Sequence, residues 1–254
     1  MLQIHQFPCL SDNYGFLVHE PKSGATAAID TPDADAYLLE AAAKGWRITD
    51  IWNTHWHPDH AGGNSAIEAA TGAVVTGPSE VKRIGKAPDR VVDEGDVVKL
   101  GDVSARVLNV GGHTLGHIAY VFDADKVAFV GDALFSMGCG RLFEGTPQQM
   151  WTSLQKIAAL PDDATLYCAH EYTQSNARFA ISIDPANRRL QARVAEVDKL
   201  RAEGKPTVPM NLRIEKETNP FLRARELKGA IMLLNAEDWE AFADLRKRKD
   251  NFKG

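Results

Sequence analysis

This 254-residue chain predicts an α+β fold with a helical C-terminal part, on three observations. Short apolar runs bounded by turn residues recur through the first 170 residues. Helical segments interrupt them, giving two strand-then-helix halves. Beyond residue 172 long amphipathic segments take over, so the boundary is placed there, between residues 1–172 and 173–254.

The elements follow in order. Ile4–Leu10, Gly15–His19 and Ala25–Ile29 read as strands, separated by Ser11-Asp12-Asn13 and Pro21-Lys22-Ser23-Gly24. Ala34–Lys44 reads as a helix stopped at Gly45. The apolar run Ile48–Trp52 is a strand, and a helix is expected over about 63–70. Strands follow at 73–76, 90–92, 97–100, 104–109, 117–122 and 126–130, with Glu94-Gly95-Asp96 as a tight turn. A glycine-rich loop runs through Gly138, Gly140 and Gly145. Thr146-Pro147 then gives an N-cap with proline at the first helical position, opening a helix to about Leu160. A short strand, Ala164–Cys168, ends in Ala169-His170-Glu171. In Pro185–Glu203 the residues Leu190, Val194, Val197 and Leu200 recur at helical spacing, and a last helix is expected over Ala236–Arg248.

Composition excludes several classes. No apolar stretch approaches the roughly 20 residues that cross a bilayer, and the start lacks the basic and apolar regions of a signal peptide. Three cysteines, Cys9, Cys139 and Cys168, give no disulfide framework, which suits a reducing, cytoplasmic location. Residues 1–170 carry 12 Lys+Arg against 21 Asp+Glu, net −9, whereas residues 171–254 carry 17 against 13, net +4. The basic part is too mild and too poor in interleaved aromatics to mark a nucleic-acid binder. A monomer is expected.

The chemistry is concentrated in Thr54-His55-Trp56-His57-Pro58-Asp59-His60-Ala61-Gly62-Gly63. Three of the chain's 8 histidines and an aspartate lie within six residues, directly after a strand. Imidazole and carboxylate are the usual donors for zinc and similar divalent ions. Three more candidates follow strand-like runs: His113 after Val107–Val110, Asp132 after Val127–Val130, and His170 after Thr165–Cys168. Strand ends hold side chains rigidly while loops complete a pocket. Five histidines and two aspartates suffice for two ions if one aspartate bridges. His117 is read as a supporting or core residue, and His5 and His19 as structural.

The pattern His-x-His-x-Asp-His, then a lone His, a lone Asp and a last His, resembles the metallo-β-lactamase superfamily. The chain is similar, more narrowly, to the glyoxalase II (hydroxyacylglutathione hydrolase) family. That resemblance spans Asp12-Asn13-Tyr14, Thr54–Gly63, Gly112–His117, Gly138–Thr146, Tyr167–Thr173, Asn219-Pro220-Phe221 and Leu245–Asp250. It implies a four-layer αβ/βα sandwich with a C-terminal helical domain. It places His55, His57 and His113 on a first ion, Asp59, His60 and His170 on a second, and Asp132 between them. It puts substrate contacts at Arg141, Phe143, Tyr172, Arg246 and Lys249. Arg141 and Phe143 stand where some members have lysine and tyrosine; arginine keeps the cation with another geometry, and phenylalanine forfeits a hydroxyl contact.

The activity so implied is hydrolysis of S-D-lactoylglutathione to D-lactate and glutathione, the thioester step of methylglyoxal detoxification. The nucleophile is a hydroxide between two divalent ions, zinc or else iron or manganese. Asp59 and Asp132 are the expected catalytic carboxylates, Asp59 as acceptor of the nucleophile's proton. A thiolate leaves with a pKa near 8.5, so no strong general acid is required. Another glutathione-thioester hydrolase, or a persulfide dioxygenase using a single iron, is the alternative.

Overall fold

The strand signals at the start of the chain form a meander. In the computed structural model, which describes residues 2–254, β1 (Gln3–Cys9) pairs antiparallel with β2 (Asn13–Glu20), and β2 with β3 (Ala25–Ile29). β4 (Asp50–Trp52), β5 (Val74–Gly77) and β6 (Arg90–Val91) then add in parallel, making a six-stranded mixed sheet. Parallel neighbours need crossovers. Helix α1 (Ala34–Lys44) supplies the first, capped by the Asp33 carboxylate and ended by Gly45 in the left-handed conformation. The short α2 (Pro58–Ala61) and α3 (Asn64–Thr71) supply the second. Tyr37 of α1 is fully buried; its hydroxyl accepts from the Phe16 amide and donates to the Ile29 carbonyl. The sheet face around it is closed by Phe7, Leu17, Ala41, Ile51 and Ile67. Burying a ring or branched chain of this size contributes roughly 1.5–3 kcal/mol each.

A second, antiparallel ladder follows as β7 (Val97–Leu100), β8 (Val103–Asn109), β9 (Ile118–Phe122) and β10 (Val127–Gly131). Every residue of β9 is buried, whereas β7 alternates. Trp52 links the two ladders through ring contacts with Tyr120 and Phe122 at 5.1 and 5.8 Å. These elements constitute one compact unit, residues up to Asn109 with Gly116–Gly131; Val110–Leu115 and Asp132–Gly254 constitute another.

In the second unit, the stretch read from sequence as a glycine-rich loop contains a small hairpin, β11 (Leu134–Phe135) with β12 (Gly138–Cys139). Two-residue strands carry no periodicity, so only the turn was visible. Helix α4 (Pro147–Ala158) starts as expected, the Thr146 hydroxyl accepting from the Gln149 amide. β13 (Thr165–Cys168) pairs with β14 (Met210–Asn211). The rest is helical: α5 (Thr173–Ile183), α6 (Arg188–Ala202), α7 (Leu212–Thr218), α8 (Ala224–Leu227) and α9 (Asp238–Asp250). Met137, Ala177, Ala180, Leu190 and Val197 form its core between hairpin, α5 and α6.

One polar cluster ties the hairpin to the tail helices. Glu215 of α7 is fully buried and accepts from the Ser136 hydroxyl and the Met137 amide at 2.9 and 2.8 Å. Asn219 donates to the Phe135 and Gly138 carbonyls, and Asn176 of α5 to the Ser136 carbonyl. Burial raises the Glu215 pKa against the pull of those donors. Among the described residues no helix is long and apolar enough to cross a membrane.

Candidate metal centre

In the first unit the donors sit where β4 runs out. Tyr120 donates from β9 to the Asn53 carbonyl, and Asn53 and Asn64 exchange side-chain hydrogen bonds at 3.1 and 2.7 Å, fixing the loop's entry. His57 then caps α2, with Pro58 at its first position. The key carboxylate here is Asp30, at the end of β3. It accepts from the Thr54 amide (2.7 Å), the Thr54 hydroxyl (2.9 Å) and His60 Nδ1 (2.8 Å). The Thr54 proton being spent on Asp30, its oxygen accepts from His55 Nδ1 at 3.0 Å.

This hydrogen-bond inventory fixes both tautomers. With Nδ1 protonated on His55 and His60, each ring presents the Nε2 lone pair, as a metal ligand must. His55 Nε2 lies 3.0 Å from His57 Nδ1, and His60 Nε2 lies 3.5 Å from an Asp59 oxygen. The donor atoms of Asp30, His55 and His60 all fall within 4.8 Å of one another. Asp30 serves three donors at once, so it orients both His60 and, through Thr54, His55. Asn13 steadies Asp59, donating to its carboxylate and carbonyl at 3.3 and 3.2 Å. His117 is buried, its ring stacked 4.6 Å from that of His55, in keeping with a supporting role. His5 bonds Glu40 and His19 stacks on Trp46, as structural residues do.

In the second unit, Gly112 holds φ at +148°, and a Cβ there would meet Met150 at 2.7 Å, so only glycine brings His113 to its place. His113 Nδ1 donates to the Arg141 carbonyl at 2.8 Å, again leaving Nε2 as the lone pair. That nitrogen faces Asp132 Oδ2 at 3.4 Å, while His170 Nε2 faces Asp132 Oδ1 at 3.4 Å. One carboxylate thus offers a separate oxygen to each of two imidazoles. A Cβ on Gly140 would stand 2.1 Å from the Asp132 carbonyl, so the loop closes here only without a side chain. In both units lone pairs of nitrogen and oxygen converge in buried surroundings. A donor set of this chemistry fits divalent cations.

The expected substrate residues differ in availability. Phe143 is 61% exposed, its ring 5.2 Å from that of His113; Tyr172, 38% exposed, stacks on His170 at 4.7 Å. Arg246 is buried: it donates to the Cys139 carbonyl at 2.9 Å and, through Nε and Nη2, to Asp250. Lys249 is half-buried and donates to the Ser175 carbonyl and hydroxyl at 2.9 and 3.0 Å. Burial and then the charges of Arg246, Arg178 and Arg141 push its pKa down to about 8. Arg141 is exposed.

Sequence reading missed Asp30, Thr54 and the tautomer-fixing role of the Arg141 carbonyl. Asp30 carries the same signal as the ligands, a carboxylate at a strand end, and could have been found by it.

Comparison with known proteins fits this geometry. Residues 23–170 match the family model described as metallo-β-lactamase superfamily. A solved structure of ETHE1 from Myxococcus xanthus superposes with TM-score 0.67 at 24% identity, covering 97% of both chains. The BLEG-1 B3 metallo-β-lactamase superposes with TM-score 0.67 at 18% identity, over 87% of this chain and 99% of its own. The fold is therefore the metallo-β-lactamase α+β sandwich with a C-terminal helical part, and the His/Asp clusters make it a binuclear divalent metal protein. Residues 171–252 match a second model, hydroxyacylglutathione hydrolase C-terminus. The chain is 58% identical to the hydroxyacylglutathione hydrolase of Erythrobacter litoralis (strain HTCC2594) over 99% of its length and 100% of the relative's. It is 55% identical to that of Maricaulis maris (strain MCS10), over 99% of each. Within the superfamily, the chain belongs to the hydroxyacylglutathione hydrolases, or glyoxalase II enzymes.

Proposed function

We propose that this protein hydrolyses S-D-lactoylglutathione to D-lactate and glutathione. The full-length match to hydroxyacylglutathione hydrolases carries the reading. His55, His57 and His113 are the proposed ligands of one ion, and Asp59, His60 and His170 of the other, with Asp132 shared. When bound, the ions supply Lewis acidity and lower the pKa of water to about 7, with zinc the proposed metal.

The chain's own residues do the rest. Asp30, Thr54 and the Arg141 carbonyl hold His60, His55 and His113 in the ligating tautomer. Asp59, kept in place by Asn13, takes the proton released as water adds to the thioester carbonyl. The leaving thiolate needs no strong acid because its pKa is near 8.5. Arg141, Phe143, Tyr172, Arg246 and Lys249 are the proposed contacts of the glutathione part, whose two carboxylates suit the cations. Residues 173–254 constitute the proposed substrate-binding part, working in the cytoplasm as a monomer with no nucleic-acid or membrane partner.

Purified protein given S-D-lactoylglutathione should release glutathione in a reaction that a chelator stops and zinc restores. No release at micromolar enzyme would overturn the proposal. Metal analysis separates the persulfide-dioxygenase alternative: two divalent ions per chain support hydrolysis, one iron the other chemistry.

A further inference from the structure

We propose that Arg178, on α5, is a binding residue for a carboxylate of the glutathione moiety, an inference that rests on the functional reading above. Three observations converge on it. First, Arg178 lies three residues after Ser175, on the same helical face. Ser175 receives the Lys249 ammonium on both its carbonyl and its hydroxyl. The end of α9 and this edge of α5 therefore meet, with Arg178 one turn along.

Second, the cations around Lys249 outnumber the anions. Arg246, Arg178 and Arg141 all press on its charge, and Asp250 alone opposes them. The Asp250 oxygen is already engaged by Arg246. Like charges gathered on one rim destabilise a fold unless an anion is received there.

Third, the four cations differ in what they have left to give. Arg246 is buried and spends its donors on Cys139 and Asp250. Lys249 spends two of its three on Ser175. Arg178 and Arg141 are exposed, and within the described residues their guanidinium groups make no hydrogen bond or ion pair. A guanidinium with its whole donor fork open is the group best suited to a carboxylate. The Arg141 position emerges from the family resemblance; Arg178 emerges from the packing of α5 against α9.

The test is steady-state kinetics with S-D-lactoylglutathione, paired with glutathione binding followed by intrinsic tryptophan fluorescence. Removing one partly exposed charge should raise KM about three- to ten-fold in Arg178→Ala and more in Arg178→Glu, with kcat within about two-fold. Arg178→Lys should stay near wild type. The KM effect should shrink as salt is raised, since exposed charges are screened. Loss of the Arg178 charge should also move the alkaline rise in KM, set by Lys249 among Arg246, Asp250, Arg141 and Ser175, to higher pH. A folding defect would produce neither the salt dependence nor this shift. An unchanged KM in Arg178→Glu, or a fall in kcat alone, overturns the role of Arg178. A wild type without turnover overturns the functional reading instead; the glutathione titration then still judges Arg178, equal affinity of wild type and Arg178→Glu counting against it.

Discussion

Asp30 shows how much one side chain can settle without touching a metal. It receives His60 Nδ1 directly and orients His55 through the Thr54 hydroxyl. Asp30→Asn would replace one acceptor oxygen by a donor amide and release both rings from their tautomers. Loss of such an outer carboxylate typically costs 10–100-fold in metal affinity, and competition with a chromogenic chelator should show a drop of that order. Lys249 sets a second residue-scale expectation. Its pKa is lowered to about 8, so its charge is present below that pH and lost as pH rises through it. Affinity for an anionic substrate should fall with it: kcat/KM should decline above about pH 8, and glutathione binding near pH 8 should take up protons. A flat kcat/KM between pH 7 and 9.5, both values chosen to bracket that pKa, would count against Lys249 as a substrate cation.

At the scale of elements, the hairpin β11–β12 is held from outside itself. Its two-residue strands cannot stand alone, and Glu215, Asn219 and Asn176 supply acceptors and donors from α7, the residue after it, and α5. Arg246 of α9 adds a bond to the Cys139 carbonyl. The helical tail thereby fixes the segment between Asp132 and Arg141. Glu215→Leu would leave the Ser136 hydroxyl and Met137 amide buried without acceptors, at roughly 1–3 kcal/mol each. Thermal unfolding should show a loss of that size, with Glu215→Gln much milder. Because burial raises the Glu215 pKa, its contribution is fully present below the ordinary carboxyl value of 4.5 and is lost as pH rises through the raised one. Glu215→Gln should abolish that part of the pH–stability profile.

For the whole molecule, metal binding and folding are linked. Ions that bind the native but not the unfolded chain add about 2.7 kcal/mol at a hundred times Kd. Chelation should therefore lower the Tm and abolish turnover together, and zinc should restore both; a Tm indifferent to chelator would contradict a resident metal pair.

The strands, α1, α4 and the candidate metal donors were legible because they obey local rules. Apolar runs between turn residues made β1, β3 and β8, and Thr146-Pro147 announced α4. Donors directly after such runs announced His55, His113, Asp132 and His170. The sequence by itself thus determined the family, the metal chemistry and most of the elements. Tertiary structure alone decided which group orients which: Asp30 stands 30 residues from His60, and Arg141 stands 28 from His113. It alone turned the Arg246 cation inward, beside Phe242 and Leu245, and left that of Arg178 outward. Such pairings arise from distant backbone brought together by buried apolar surface, and neither periodicity nor spacing records them.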